Sequence, residues 1–112
     1  MTKPEITIDD FKKLDIRIGT IISVEVIPDA DKLLKLQINL GEKSLRQILA
    51  GIREYVGDPM RLVGLQIPVL TNLAPRTIRG LESNGMILAG SADGAFALIH
   101  PEINLPNGSE IR

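Results

Sequence analysis

The chain has 112 residues, of which 44% are apolar, 24% charged and 3% aromatic; that is enough to bury one core unaided and too short for two domains. The absence of cysteine excludes disulfides, thiolate metal sites and thiol nucleophiles together and fits a reducing compartment. The net charge of −1 hides a division: residues 1–31 hold four basic and seven acidic groups, residues 32–79 eight and three, residues 80–112 one and four. A basic middle between acidic ends is either one positive face or charges scattered over a solvated surface. No basic segment followed by an apolar stretch opens the chain and no apolar run approaches about 18 residues, so neither a secretion signal nor a membrane span is expected.

Met1 to Glu5 reads as a lead containing Pro4. Thr7 then fits a helix start, with Asp9 and Asp10 at the positive end of the dipole and Ile8, Phe11 and Leu14 at spacings of three. From Asp15 the period becomes alternating: Ile16, Ile18, Ile22, Val24 and Val26 share one side of a strand of about twelve residues, roughly double the usual length. Gly19 and Thr20 interrupt it where a long strand must coil. Pro28 to Asp31 is a turn, Leu34 to Leu40 a second alternating strand, and Leu45 to Ala50 a third, which makes a meander. Gly51 to Tyr55 suits a short helix ended by Gly57-Asp58-Pro59. Leu65 to Leu70 is a fourth strand, with Pro68 expected beside a bulge or facing outward. Asn72 to Ser83 is polar, without a period, and reads as a long loop. Met86 to Ala89 is a fifth strand, Asp93-Gly94 a hairpin turn, and Phe96 to Ile99 a sixth strand. Beyond Pro101 the tail carries Ile103, Leu105 and Ile111, which need cover from the domain or from a second copy. A curved first strand, a meander and a short helix between the third and fourth strands is the order of an all-β, five-stranded Greek-key barrel of the OB type, with an SH3-like barrel as the alternative.

Catalytic and metal chemistry lack their residues. The lone His100 stands before Pro101, Asp29-x-Asp31 has Leu33 where a calcium loop needs its next ligand, and no Gly-rich phosphate loop, His-Glu-x-x-His or Gly-x-Gly-x-x-Gly is present. No enzyme and no cofactor or metal is expected. Binding chemistry concentrates between Asn72 and Ser83, where Arg76 and Arg79 stand three residues apart beside an amide and a hydroxyl. Guanidinium offers paired donors and keeps its charge, which suits phosphate and ribose oxygens; the same arginines also suit a merely soluble loop. The only rings are Phe11, Tyr55 and Phe96, and both phenylalanines fall on apolar faces. A base-stacking platform is therefore not expected, and a folded RNA gripped by backbone, sugar and shape suits the chain better.

Leu14-Asp-Ile-Arg-Ile-Gly-Thr, Ala30-Asp-Lys-Leu, Ala50-Gly-Ile and, above all, Asn72-Leu-x-Pro-Arg-x-x-Arg-Gly-x-x-Ser-x-Gly-Met86-x-Leu-Ala resemble the tRNA-binding domain family. That family includes the C-terminal domain or β subunit of methionyl-tRNA synthetase, free-standing tRNA-binding proteins and the CsaA-type export chaperones. The resemblance runs from about residue 9 to the end. It implies an OB-fold that binds tRNA by shape at the outer corner of the L, with Asn72, Arg76, Arg79, Ser83 and Met86 facing RNA and Lys32, Lys35 and Arg53 as phosphate contacts beside them. It also implies a cytoplasmic homodimer, joined through the N-terminal lead and short helix (residues 1–14) and the C-terminal extension (residues 101–112) around a barrel at residues 15–100. A methionyl-tRNA synthetase catalytic chain is the implied partner. Pro28-Asp-Ala-Asp-Lys-Leu resembles the synthetase-associated members, and a chaperone that binds unfolded polypeptide is the alternative. Pro68 and the low overall charge depart from the strongly basic members.

Overall fold

Thr7 opens the first helix as its side chain predicts. In the computed structural model, which describes residues 2–112, the Thr7 hydroxyl accepts from the Asp10 amide and the Asp10 carboxylate accepts from the Thr7 amide, both at 3.2 Å. Two free amides of α1 (Ile8–Phe11) are thereby satisfied reciprocally. The helix is a single turn and stops short of Leu14. Ile8 and Leu14 are exposed and Phe11 is only half-buried, so packing adds little to extend it.

The meander forms as predicted from β1 (Ile16–Val26), β2 (Leu34–Asn39) and β3 (Arg46–Ala50), all antiparallel. In β2 the alternation is complete: Leu34, Leu36 and Ile38 are fully buried while Lys35, Gln37 and Asn39 lie on the outer face. In β1 the phase changes. Ile16, Ile18, Ile21 and Val24 are buried, whereas Ile22 and Val26, expected with them, are exposed. The register shifts between Ile21 and Ser23, and this bulge lets one strand bend along two neighbours. Gly19 is required nearby: a Cβ there would lie 2.6 Å from Ile38 Cγ2 and 2.8 Å from Leu40 Cδ2.

A short helix α2 (Arg53–Val56) and a 3-10 turn (Pro59–Leu62) lead into β4 (Gln66–Leu70), which pairs with the first half of β1. Pro68 lies in the middle of β4 with no bulge beside it; its ring faces away from the barrel interior that Ile67 and Val69 fill, as expected, and is buried there beside Ile18 and the C-terminal segment. Towards β1 its missing N–H removes no bond, because its partner Ile18 uses its own amide and carbonyl on Ser109 and Gly108, while the Pro68 carbonyl faces the other way and accepts from the Leu88 amide at 3.1 Å. The pair is therefore of the non-hydrogen-bonded kind.

Residues 72–83, expected to be irregular, contain a hairpin of β5 (Arg76–Ile78) and β6 (Leu81–Ser83). Nor is Met86–Ala89 one strand. β7 (Met86–Ile87) joins the barrel, and β8 (Ala89–Ala92) pairs with β9 (Ala95–Leu98) in a separate hairpin, so the expected sixth strand lies outside the barrel. The main sheet runs β3-β2-β1-β4-β7, and its edge strands β3 and β7 approach each other. The result is a nearly closed five-stranded antiparallel barrel of the OB-like kind. Ile21, Leu36, Ile38, Ile48, Leu62, Ile67 and Val69 fill it. The C-terminal segment returns along β1, with bonds of 2.8 Å from the Gly108 amide to Ile18 O, from the Ile18 amide to Ser109 O and from the Ile111 amide to Ile16 O. That covers the stretch of β1 that precedes its pairing with β2.

Candidate nucleic-acid interface

The β5–β6 hairpin turns at Arg79 and Gly80, with φ of 52° and 77°, the paired left-handed conformations of a type I′ turn. Glycine suits that backbone and arginine does not. Arg79 is held there because Ile78 and Leu81 on either side pack with Leu33 against Ile27, Ala30 and Leu49, a second apolar cluster on the outer wall of the barrel.

The base of the hairpin is bonded to β3. Ser83 is 3% exposed; its hydroxyl accepts from the Leu49 amide at 3.0 Å and donates to Gly85 O at 3.3 Å. The Gln47 side-chain amide donates to Glu82 O at 2.9 Å, and the Asn84 amide donates to Gln47 O at 2.9 Å. Arg46 donates to Thr71 O at 2.6 Å and Asn84 O at 3.2 Å while its guanidinium holds the Glu42 carboxylate at 2.6 Å. On the approach to β5, Asn72 accepts from the Asp15 amide at 2.9 Å and donates to Lys13 O at 2.7 Å. Asn72 and Ser83, expected to face RNA, thus have side chains bonded within the protein.

Three of the cations gather at one turn. Arg79 and Lys32 line a recess of about 270 Å³ with Asp29, Ala30, Asp31 and Leu33. Arg53 reaches the same turn, donating from its guanidinium to Ala30 O at 3.1 Å. Arg76 stands at the other end of the hairpin, opposite Ser83 in register. Among the described residues, no carboxylate lies within 4.0 Å of Lys32, Arg53, Arg76 or Arg79, whereas Lys35 is paired with Glu25 at 3.2 Å. Met86 is 45% exposed at the barrel edge. Tyr55 and Phe96 stack on each other with centroids 4.6 Å apart. The residues that sequence reasoning missed are Arg46 and Gln47. Only the register of the meander, which sets Gln37 opposite Gln47, would have drawn attention to the second.

A small barrel with a cationic hairpin anchored on its outer wall is of the class of OB-like nucleic-acid-binding domains. The chain belongs to the tRNA binding domain family, whose profile matches residues 16–110. It is 58% identical over 102 residues to a methionine–tRNA ligase of Methanococcoides burtonii and 44% identical over 109 residues to that of Listeria monocytogenes. These matches take in 89% and 97% of the chain but only 15% and 16% of the ligases. Among solved structures, it superposes on a MetRS-related protein from Pyrococcus horikoshii with a TM-score of 0.90 at 28% identity, covering 98% of this chain and 100% of that one. It superposes on the chaperone CsaA of Bacillus anthracis at 0.86 and 32% identity, covering 97% and 100%. The chain is a tRNA-binding domain, a binding module and not a catalytic one.

Proposed function

We propose that the domain grips folded tRNA at the outer corner of its L through Arg76, Arg79, Lys32 and Arg53, with Lys35 and Met86 beside them. Asn72 and Ser83 act by shaping the hairpin. The observation that carries this reading is the hairpin itself, whose two arginines are exposed, free of carboxylate partners and mounted on a wall fixed from beneath. A surface poor in rings favours backbone and shape over base stacking. The domain serves methionyl-tRNA synthetase, as an appended domain, a subunit or a free-standing protein, which the ligase relatives support. It acts in the cytoplasm, where tRNA is charged; among the described residues no helix is long and apolar enough to cross a membrane. It works as a homodimer. Ile99, Ile103 and Ile111 are exposed around an apolar cavity of about 360 Å³ next to the C-terminal segment, a surface that a second copy would cover.

Titration of labelled, folded tRNA at several salt concentrations tests the reading. Affinity is expected to fall steeply as salt rises, and Arg76→Ala with Arg79→Ala to weaken binding and flatten the slope of log K against log salt by about 1.4–1.8, at about 0.7–0.9 per phosphate contact. Unchanged affinity and slope would exclude this face. The likeness to CsaA favours a second reading, chaperone-like capture of unfolded polypeptide, which binding of an unfolded chain undisturbed by tRNA would support.

A further inference from the structure

Building on that tRNA reading, we infer that Gln47 is a positioning residue for the arginine hairpin, fixing the angle at which Arg76 and Arg79 are presented without itself touching RNA. Four bonds tie the base of the hairpin to β3, and Gln47 makes two of them. Its backbone carbonyl accepts from the Asn84 amide at 2.9 Å and its side-chain Nε2 donates to Glu82 O at 2.9 Å. The other two run from the Leu49 amide to Ser83 Oγ and from the Arg46 guanidinium to Asn84 O at 3.2 Å.

The side chain of Gln47 is itself held in one orientation. Gln37, directly opposite in the β2–β3 ladder, donates from Nε2 to Gln47 Oε1 at 3.0 Å. Rotating the Gln47 amide by half a turn would set donor against donor at Gln37 and oxygen against oxygen at Glu82. The Gln37–Gln47–Glu82 chain therefore runs in one direction only, from the outer face of β2 across β3 to the backbone of β6.

The lever is short but sufficient. Arg79 stands three residues beyond Glu82, about 10 Å of extended chain. A tilt of about 10° at the base moves the tip by about 2 Å, more than a guanidinium–phosphate hydrogen bond tolerates. If Gln47 holds the angle, its loss reduces the fraction of molecules whose hairpin is ready to bind. It leaves the bound complex, and so the number of phosphates contacted, the same.

The test is Gln47→Leu, read by tRNA affinity across a salt series together with amide hydrogen exchange. The expected result is a dissociation constant raised about two- to tenfold, the size of one hydrogen bond, with the salt slope of the unsubstituted protein. Exchange should quicken at Asn84 and the hairpin amides and stay unchanged at Leu36 and Ile48 in the barrel, which also shows that the fold is kept. Gln37→Leu, which frees the orientation of Gln47 without removing its donor, should give a smaller loss in the same direction. Unchanged affinity would overturn the inference while leaving the tRNA face intact, provided the arginine pair still sets affinity and slope. A slope flattened as in the arginine variants would also overturn it, because phosphate contacts would then have been lost outright. Indifference of binding to the arginine pair itself would overturn the tRNA reading and this inference together.

Discussion

Ser83 shows how a residue's chemistry depends on where its side chain lies. By type it is a donor or acceptor for a ribose or phosphate oxygen, but its hydroxyl is buried against the Leu49 amide. Ser83→Ala leaves that amide without a partner and is expected to cost about 1–3 kcal/mol, seen as a lower urea midpoint. Arg76→Ala, on the exposed strand opposite, should stay within about 0.5 kcal/mol of the parent. Asp10 is legible from sequence alone, because a capping box is local. The amide of Thr7, then the Lys13 ammonium, hold its carboxyl below the ordinary value. A depressed folded value stabilises α1 at every pH above the unfolded value and loses that contribution as pH falls through the folded one. Resonances of Thr7 and Asp10 are therefore expected to hold between pH 7 and 5 and to shift toward unfolded positions below about pH 4.

The hairpin is the element that sequence reading missed. Its strands are three residues each, too short for a period of two to register, and its turn carries arginine where asparagine or glycine would have signalled type I′. Ile78 and Leu81 were visible as apolar residues, but the wall they pack on, Leu49 and Ala30, lies far away in sequence. The turn also permits a clean separation of roles. Arg79→Asn keeps a residue at ease with φ of 52° while deleting the cation. Its melting temperature is expected to be equal to or slightly above the parent's, with tRNA affinity lower by a few fold and a salt slope flatter by a little under one. Loss of stability in parallel with affinity would count against a phosphate contact there. The split of Met86–Ala89 into two strands of different sheets was equally invisible, since nothing in four small or apolar residues marks where the chain leaves the barrel.

On the scale of the whole molecule, the arginine hairpin and the exposed apolar C-terminal surface are different regions, so the binding and the association proposed for them are separable. Ile103 is 67% exposed. Ile103→Glu is expected to halve the mass in solution, leaving each barrel folded, since the residue contributes little to the monomer's own core. If the pair of sites in a dimer engages one tRNA, the same variant also loses avidity; if each site binds its own tRNA, intrinsic affinity stays as it was. Mass measured with and without tRNA distinguishes these outcomes.

The order of residues was enough to reveal the meander, the capped helix, the long coiled first strand and the segment that carries the arginines, because alternation, capping and glycine punctuation act between near neighbours. It was also enough for the family, since fixed spacings around Arg76 and Arg79 survive without any knowledge of the fold. Only the tertiary structure decided which polar groups have partners within the protein. Asn72 is committed to Asp15 and Lys13, Ser83 to Leu49, and Gln47 to a backbone carbonyl 35 residues away. Hydrogen-bond partners so far apart are chosen by strand register and barrel closure, and those are properties of the packed chain.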